Sequence, residues 1–468
     1  MPVGGTSADR LSSAAGELSR CMRGPVFVPG DGDYDAERNG FQTIRRHAPG
    51  VIAGVAESAD VRAAVQFAAT HGLSVAVQGT GHGLALPATG GVLISTRRMT
   101  EVRVQPATRT ARIGAGVRWD QVISEAAPYG LAPLSGSAPH VGAVSYTLGG
   151  GLGPIARSFG YAADYVRSID IVTADGRLRR VSAQQDHDLF WALRGGRGNF
   201  GVATQIEIDL LPVARLFGGA LFFDASLAAD VLHGWLQWTA TAPAELTSSV
   251  ALVPFPDSPA VPPPLRGRHV AHIRIAYIGD AAAGHELVAP LRSIGPRLID
   301  TVRQMPYTEV GSIHGDPIQP MAFRTTNVML RDFTIPAVQT LLERARPGRK
   351  EPVIIELRHL GGALAGPPAI ANAVGHRAAR YLLIVLSRLS PSDDGAHIDA
   401  VSSDHERFLH EFNALTIGRC LNFMQGDHSA DQVRTAYDPA DYKKLVKLKS
   451  LYDPANIFRH DHNIQPVA

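Results

Sequence analysis

Residues 74–83 read SVAVQGTGHG, a short apolar strand from Ser74 to Gln78 running into Gly79-Thr80-Gly81-His82-Gly83. Glycine lets a backbone approach a ligand closely. A run of unhindered N–H groups can form a concavity for an anion such as a pyrophosphate. One such loop is commonly no more than a turn. A second glycine-rich stretch lies close by, LAPLSGSAPHVGAVSYTLGGGLG at residues 131–153. Two together, one with a histidine at its apex, point to a nucleotide cofactor.

The flanking pattern is regular. Val51 to Val55 reads as a strand. Ser58 to Thr70 reads as a helix, with Ser58 placed to cap it and Val61, Ala64, Val65 and Ala68 on one face. Strands follow at Val92 to Thr96 and Arg109 to Ile113, then a helix from Trp119 to about Ala127. Ile169 to Thr173 and Leu178 to Val181 flank Ala174-Asp175-Gly176, a hairpin signal. A short helix, Asp188 to Arg194, precedes a strand from Val202 to Leu210, and the first fifty residues read as irregular. Beyond Pro212 the strands lengthen (Ala220 to Asp224, Ser249 to Pro254, His269 to Ile278, Val353 to Leu360, Tyr381 to Leu386) and alternate with helices at Ser226 to Thr241 and Ala281 to Ile294. The chain ends on a helix, Asp441 to Leu451, stopped by Asp453-Pro454. The class is α+β.

With 468 residues the chain is long enough for two or more domains. A net charge of +2 gives no basis for a nucleic-acid partner. Two cysteines, Cys21 and Cys420, make neither a disulfide framework nor a metal site. The first residues carry no secretory pattern, and no apolar run spans a bilayer, so the expectation is a cytoplasmic protein without a membrane partner. Composition says nothing of oligomeric state.

A literal G-x-G-x-x-G occurs at Gly196, Gly198 and Gly201. The dinucleotide fingerprint requires strand, loop, helix. Here the order is helix, loop, strand, which turns the helix dipole away from a phosphate, and a Rossmann site is rejected. His460-x-His462 lacks a third metal ligand and reads as structural.

Four blocks carry a family likeness: residues 74–83, GSAPHVGAVSYTLGGGLG (136–153), YAADYVRSIDIVTADGRL (161–178) continuing into DHDLFWALRGGRGNFGVAT (186–204), and YKKLVKLKSLYDPANIFRHDHNIQP (442–466). In these the chain resembles the berberine-bridge branch of the vanillyl-alcohol-oxidase flavoproteins. The resemblance implies a PCMH-type FAD-binding domain at 1–213, a substrate domain at 214–415 with an antiparallel sheet covered by helices, and a segment, 416–468, returning to the FAD domain. It implies FAD linked covalently to His82. The cradle it implies comprises Gln78, Gly79, Thr80, Gly81 and Gly83, then Ala138, His140, Val141, Gly142, Val144, Ser145, Gly149, Gly150 and Gly153, with Val202, Asn422 and Asn463. Val141 falls where the family controls oxygen access.

The departures are informative. Ala138 replaces the cysteine that gives many members a second flavin link, so no second tether forms there. Gln78 stands where arginine is frequent, which weakens phosphate neutralisation, and Thr80 where glycine is frequent. Cys420, in Cys420-Leu421-Asn422-Phe423, replaces the tyrosine that can act as base. The remaining candidates for proton transfer are Cys420 itself, Tyr146, Glu356, His359 and His376, while Arg358 and Arg377 fit ordinary salt bridges. The implied activity is an oxidase moving hydride from an alcohol, or a C–H beside a heteroatom, of a small organic molecule to flavin N5, with dioxygen reduced to hydrogen peroxide. A specialised metabolite is the implied substrate class. Two alternatives are a flavoprotein catalysing a non-redox cyclisation or isomerisation, and a ligand-binding protein that has lost its cofactor.

Overall fold

The computed structural model describes residues 7–346, 348 and 351–467. Three sheets organise them. In the first, strands Val51–Gly54, Val92–Ser95 and Val75–Gln78 run parallel, with Val26–Phe27 antiparallel at one edge. The helix Ser58–Thr70 makes the crossover between parallel strands and buries Val61, Ala64, Val65 and Ala68, the stripe its sequence indicates. Ser58 is not its cap. Glu57 occupies that position and no side chain bonds the first turn. The first fifty residues are more ordered than expected, with helices Ser7–Arg20 and Tyr34–Arg38.

The second sheet has five antiparallel strands, including the hairpin Val166–Val172 and Leu178–Ser182 around Gly176 at φ +71°. The third has nine strands and begins at Arg215, just beyond Pro212. Every pairing in it is antiparallel. One face packs Phe223, Ile273, Leu357 and Leu383 against helices that include Ala228–Thr239, Ile335–Arg344 and Gly395–His410. Alternation sends the residues between them to the other face. There Leu360, Leu382, Ile384 and Cys420 meet Leu152, Ala156 and Tyr161 of the first 213 residues. The strand Ala322–Leu330 and the helices Ile335–Arg344 and Gly395–His410 went unread in the sequence.

The tail, with the helix Pro439–Tyr452, packs back on the first sheet, where Val75 N–H donates to Ile457 O. Lys449 fastens it: its fully buried ammonium donates to Asn199 O, Phe458 O and the Asp453 carboxylate at 2.6 Å. Among the described residues no helix is long and apolar enough to cross a membrane.

Candidate active site

The strand Val75–Gln78 delivers the chain into the first glycine loop. Gly81 adopts φ +71°, and a Cβ there would lie 2.6 Å from Gly40 Cα, so only glycine closes this contact. Phe41 N–H donates to Thr80 O, and the Phe41 ring stacks on His82 with centroids 4.0 Å apart. His140 lies 4.8 Å from His82. Phe41 and His140 are themselves 5.2 Å apart, so the three rings form a triangular cluster. The His82 Nδ1 lies 2.8 Å from Thr80 Oγ1, and its buried Nε2 has no partner among the described residues. Burial, then His140 and Arg118, lower its pKa from 6.5 to about 3. The ring is neutral at physiological pH, with one nitrogen uncommitted. Thr80 therefore acts as more than a stand-in for glycine: it holds the histidine and also accepts from Gly142 N–H at 3.2 Å, joining the two loops.

The second loop enters the helix Ala143–Leu148 and leaves through Gly149, Gly150 and Gly151. Asn422 clamps this exit: Nδ2 donates to Tyr146 O at 3.0 Å, and Gly151 N–H donates to Oδ1 at 2.9 Å. Its amide is engaged with backbone. The buried Asn463 Oδ1 has no partner among the described residues. Tyr146 packs edge-on against Trp119, and its buried hydroxyl likewise has no partner among the described residues. Burial, with nearby Tyr307, raises its pKa well above 10, so it is a neutral donor.

Other sites assigned from sequence have other work. Val144 and Val202 are buried in the apolar core. Gly153 is required because a Cβ would fall 1.9 Å from Ser135 O. The Gln78 amide donates to Arg38 O and Asn39 O. Gly79 and Gly83 line the groove with Ser145. Ala138 O accepts from Val141 N–H in the turn before Gly142. The cation there is Arg197, hidden inside the rejected G-x-G-x-x-G. It is held at φ +53° by Leu421 O and by Asp461 at 3.3 Å. His460 bonds Ser74 Oγ and His462 bonds Asp461.

The proton-transfer candidates separate. The Cys420 thiol is pushed up to about 11 by burial, and its backbone is pinned by the Asn327 amide. His359 accepts from Arg157 Nη1 at 2.9 Å and is lowered to about 3 by burial and Arg157. Arg157 also donates to Leu246 O and Leu360 O, stapling the two regions together. His376 is turned to Thr435 O and Asp438, outside the cavity that holds Glu356's partners. Burial works to raise the Glu356 carboxyl, but Arg358 and Arg274 override this and hold it well below the usual carboxylate range. Arg377 pairs with Asp164 at 2.6 Å. The sequence reading missed Arg274, His314 and Phe41. Alternating polar residues in His269–Tyr277 were the signal for Arg274.

The FAD binding domain family matches residues 49–182, and the berberine and berberine-like family matches residues 421–465. These are the two segments that build the cradle and its clamp. The chain carries an FAD binding domain and a berberine-like segment and is an FAD-dependent oxidoreductase. It is 27% identical to (R)-6-hydroxynicotine oxidase of Paenarthrobacter nicotinovorans over 95% of this chain and 97% of that protein. It is 24% identical to chitooligosaccharide oxidase of Gibberella zeae over 95% of this chain and 93% of that one. The fold matches 6-hydroxy-D-nicotine oxidase from Arthrobacter nicotinovorans with a TM-score of 0.82 at 24% identity, covering 95% and 98% of the two chains. The residues fit FAD: a glycine cradle without room for side chains, Arg197 in the groove, and buried His82 Nε2 and Tyr146 hydroxyl groups unpaired among the described residues.

Proposed function

We propose that this oxidoreductase is an oxidase taking hydride from a C–H beside a heteroatom of a small organic substrate, with dioxygen as acceptor and FAD tethered to His82. The carrying observation is the juxtaposition of the second glycine loop with a largely apolar cavity of the nine-stranded sheet that also contains two arginines. Gly153 lines that cavity together with Arg274, His314 and Arg358. Bound flavin supplies a two-electron acceptor. The chain supplies orientation and a dry apolar wall from Leu152, Leu360 and Leu364.

A nitrogen substrate fits better than an alcohol. An alcohol must give up its O–H proton as hydride leaves. Here tyrosine and thiol are neutral, and Glu356 is a weak base between two guanidiniums. A free amine loses hydride to give an iminium with no proton acceptor. The relative named for 6-hydroxynicotine supports this reading.

The test starts with acid precipitation of the yellow protein, where the wild type retains flavin in the pellet and His82→Ala releases it. Amines and alcohols are then compared for peroxide release and anaerobic flavin bleaching. Turnover without either signal overturns the oxidase reading. Flavin lost to the supernatant from the wild type overturns the tether.

A further inference from the structure

Across the cavity face of the large sheet runs a row of three residues. Ser249 pairs in register with both Arg274 and Arg358, so the two arginines flank it on adjacent strands. Glu356, two residues before Arg358 on the same face, accepts from Arg274 Nη1 at 2.8 Å and from Arg358 Nη2 at 3.1 Å. Two guanidiniums thus meet one carboxylate. His314, 3.9 Å from Glu356, adds no charge, because burial and both arginines lower it to about 3. The neighbouring acid Asp316 accepts from Ser137 Oγ at 2.8 Å.

Glu356 is the one carboxylate bonded to both guanidiniums among the described residues, Asp316 acting on Arg358 only through space, and the arginine pair is buried. The arginine side chains are 10% and 11% exposed, and among the described residues the Nε of each lacks a hydrogen-bond partner. An unpaired buried donor on a charged group is expensive, and a merely structural ion pair would balance. Both arginines line a cavity of about 20 Å³ with Thr247, Ser249, His314 and Gly153. That space is the size of one or two water molecules, so no more than the head group of a ligand would reach the arginines.

We propose that Arg274 and Arg358 form the subsite for an anionic group of the substrate, a carboxylate. A guanidinium presents paired donors that match two carboxylate oxygens. The compound would be an amine bearing an acid group. This deepens the oxidase reading and rests on it for the identity of the second group.

The probes are benzoate and benzamide, matched in shape and differing in charge, titrated into the FAD-loaded protein while the visible flavin spectrum is recorded. Benzoate should give a saturable change and bind at least about tenfold more tightly than benzamide, about 1.4 kcal/mol. Glu356→Gln frees both guanidiniums and should tighten benzoate at least about threefold. A purely structural cluster predicts loosening. Arg274→Met should erase the preference for the anion. Equal affinities, no spectral change with either probe, or weaker benzoate binding in Glu356→Gln would overturn the subsite. If a variant fails to fold, the wild-type pair of titrations still decides. Benzoate binding without peroxide release from any amine would retain the subsite and remove only the oxidase reading.

Discussion

Lowering the pH from 7 to 5 should leave the rate at which His82 takes up FAD unchanged. The attacking imidazole must be neutral. A solvent-exposed histidine with the ordinary pKa of 6.5 is about three-quarters neutral at pH 7 and about 3% neutral at pH 5, a fall of about 25-fold. Burial beside His140 and Arg118 lowers His82 to about 3, so its neutral fraction stays near about 99% at pH 5. The assay uses apo-protein from riboflavin-starved cells. FAD is added across the pH series, samples are quenched in acid, and flavin in the washed pellet is counted, with circular dichroism confirming the fold at each pH. A profile that follows an ordinary imidazole would refute the claim that the stacked Phe41–His82–His140 site is desolvated.

Three other outcomes follow from the geometry. Cys420→Ser should retain turnover within about threefold with an unchanged pH profile, since loss of a true general base costs about 10² or more; a loss of that size in steady-state kinetics would restore the thiol as base. Lys449→Met strands the Asp453 carboxylate in a fully buried setting and should destabilise the protein by about 3–5 kcal/mol in urea titrations; an unchanged midpoint would show the tail is held by other contacts. His47 (about 4), His82, His314, His359 and His405 (each about 3) and His428 (about 2) are all lowered, first by burial. The unfolded chain therefore binds protons before the folded one. Stability present above pH 6.5 is lost as pH falls below it, by up to about 1.4 kcal/mol per pH unit per group, and the melting temperature should fall between pH 6.5 and 5; a flat profile there would contradict the burial of these rings.

Periodicity explains what was legible. The helix Ser58–Thr70 declares itself because burial on one face imposes a repeat, whereas the strand His269–Tyr277 is buried on both faces and is marked by its β-branched residues Val270, Ile273 and Ile275. The strand Ala322–Leu330 hides because its centre, Thr325-Thr326-Asn327, is polar, and Asn327 is buried to hold the Cys420 backbone. The helix Gly395–His410 was masked by its polar run Ser402-Ser403-Asp404-His405. His82 and both glycine loops stood out through composition and family likeness. Asn422 was located, but its engagement with the second loop depends on a contact 276 residues away in sequence, and no local pattern encodes that. The salt bridge expected for Arg358 is present, yet its shared carboxylate emerges only from the register that sets Ser249 between two arginines.

The cradle has an order of assembly written into it. Gln425 donates to His82 O across 343 residues, Asn422 holds the second loop, and Asp461 holds Arg197. Each of these supports comes from a residue far later in the chain than the loop it holds. A nascent chain can present its histidine early but lacks the parts that close around the cofactor, so flavin loading waits until residues 422 to 461 have been made. The yellow colour then serves as a record that synthesis has passed this segment, and a chain cut short near residue 420 would be sorted from longer ones by failing to acquire it.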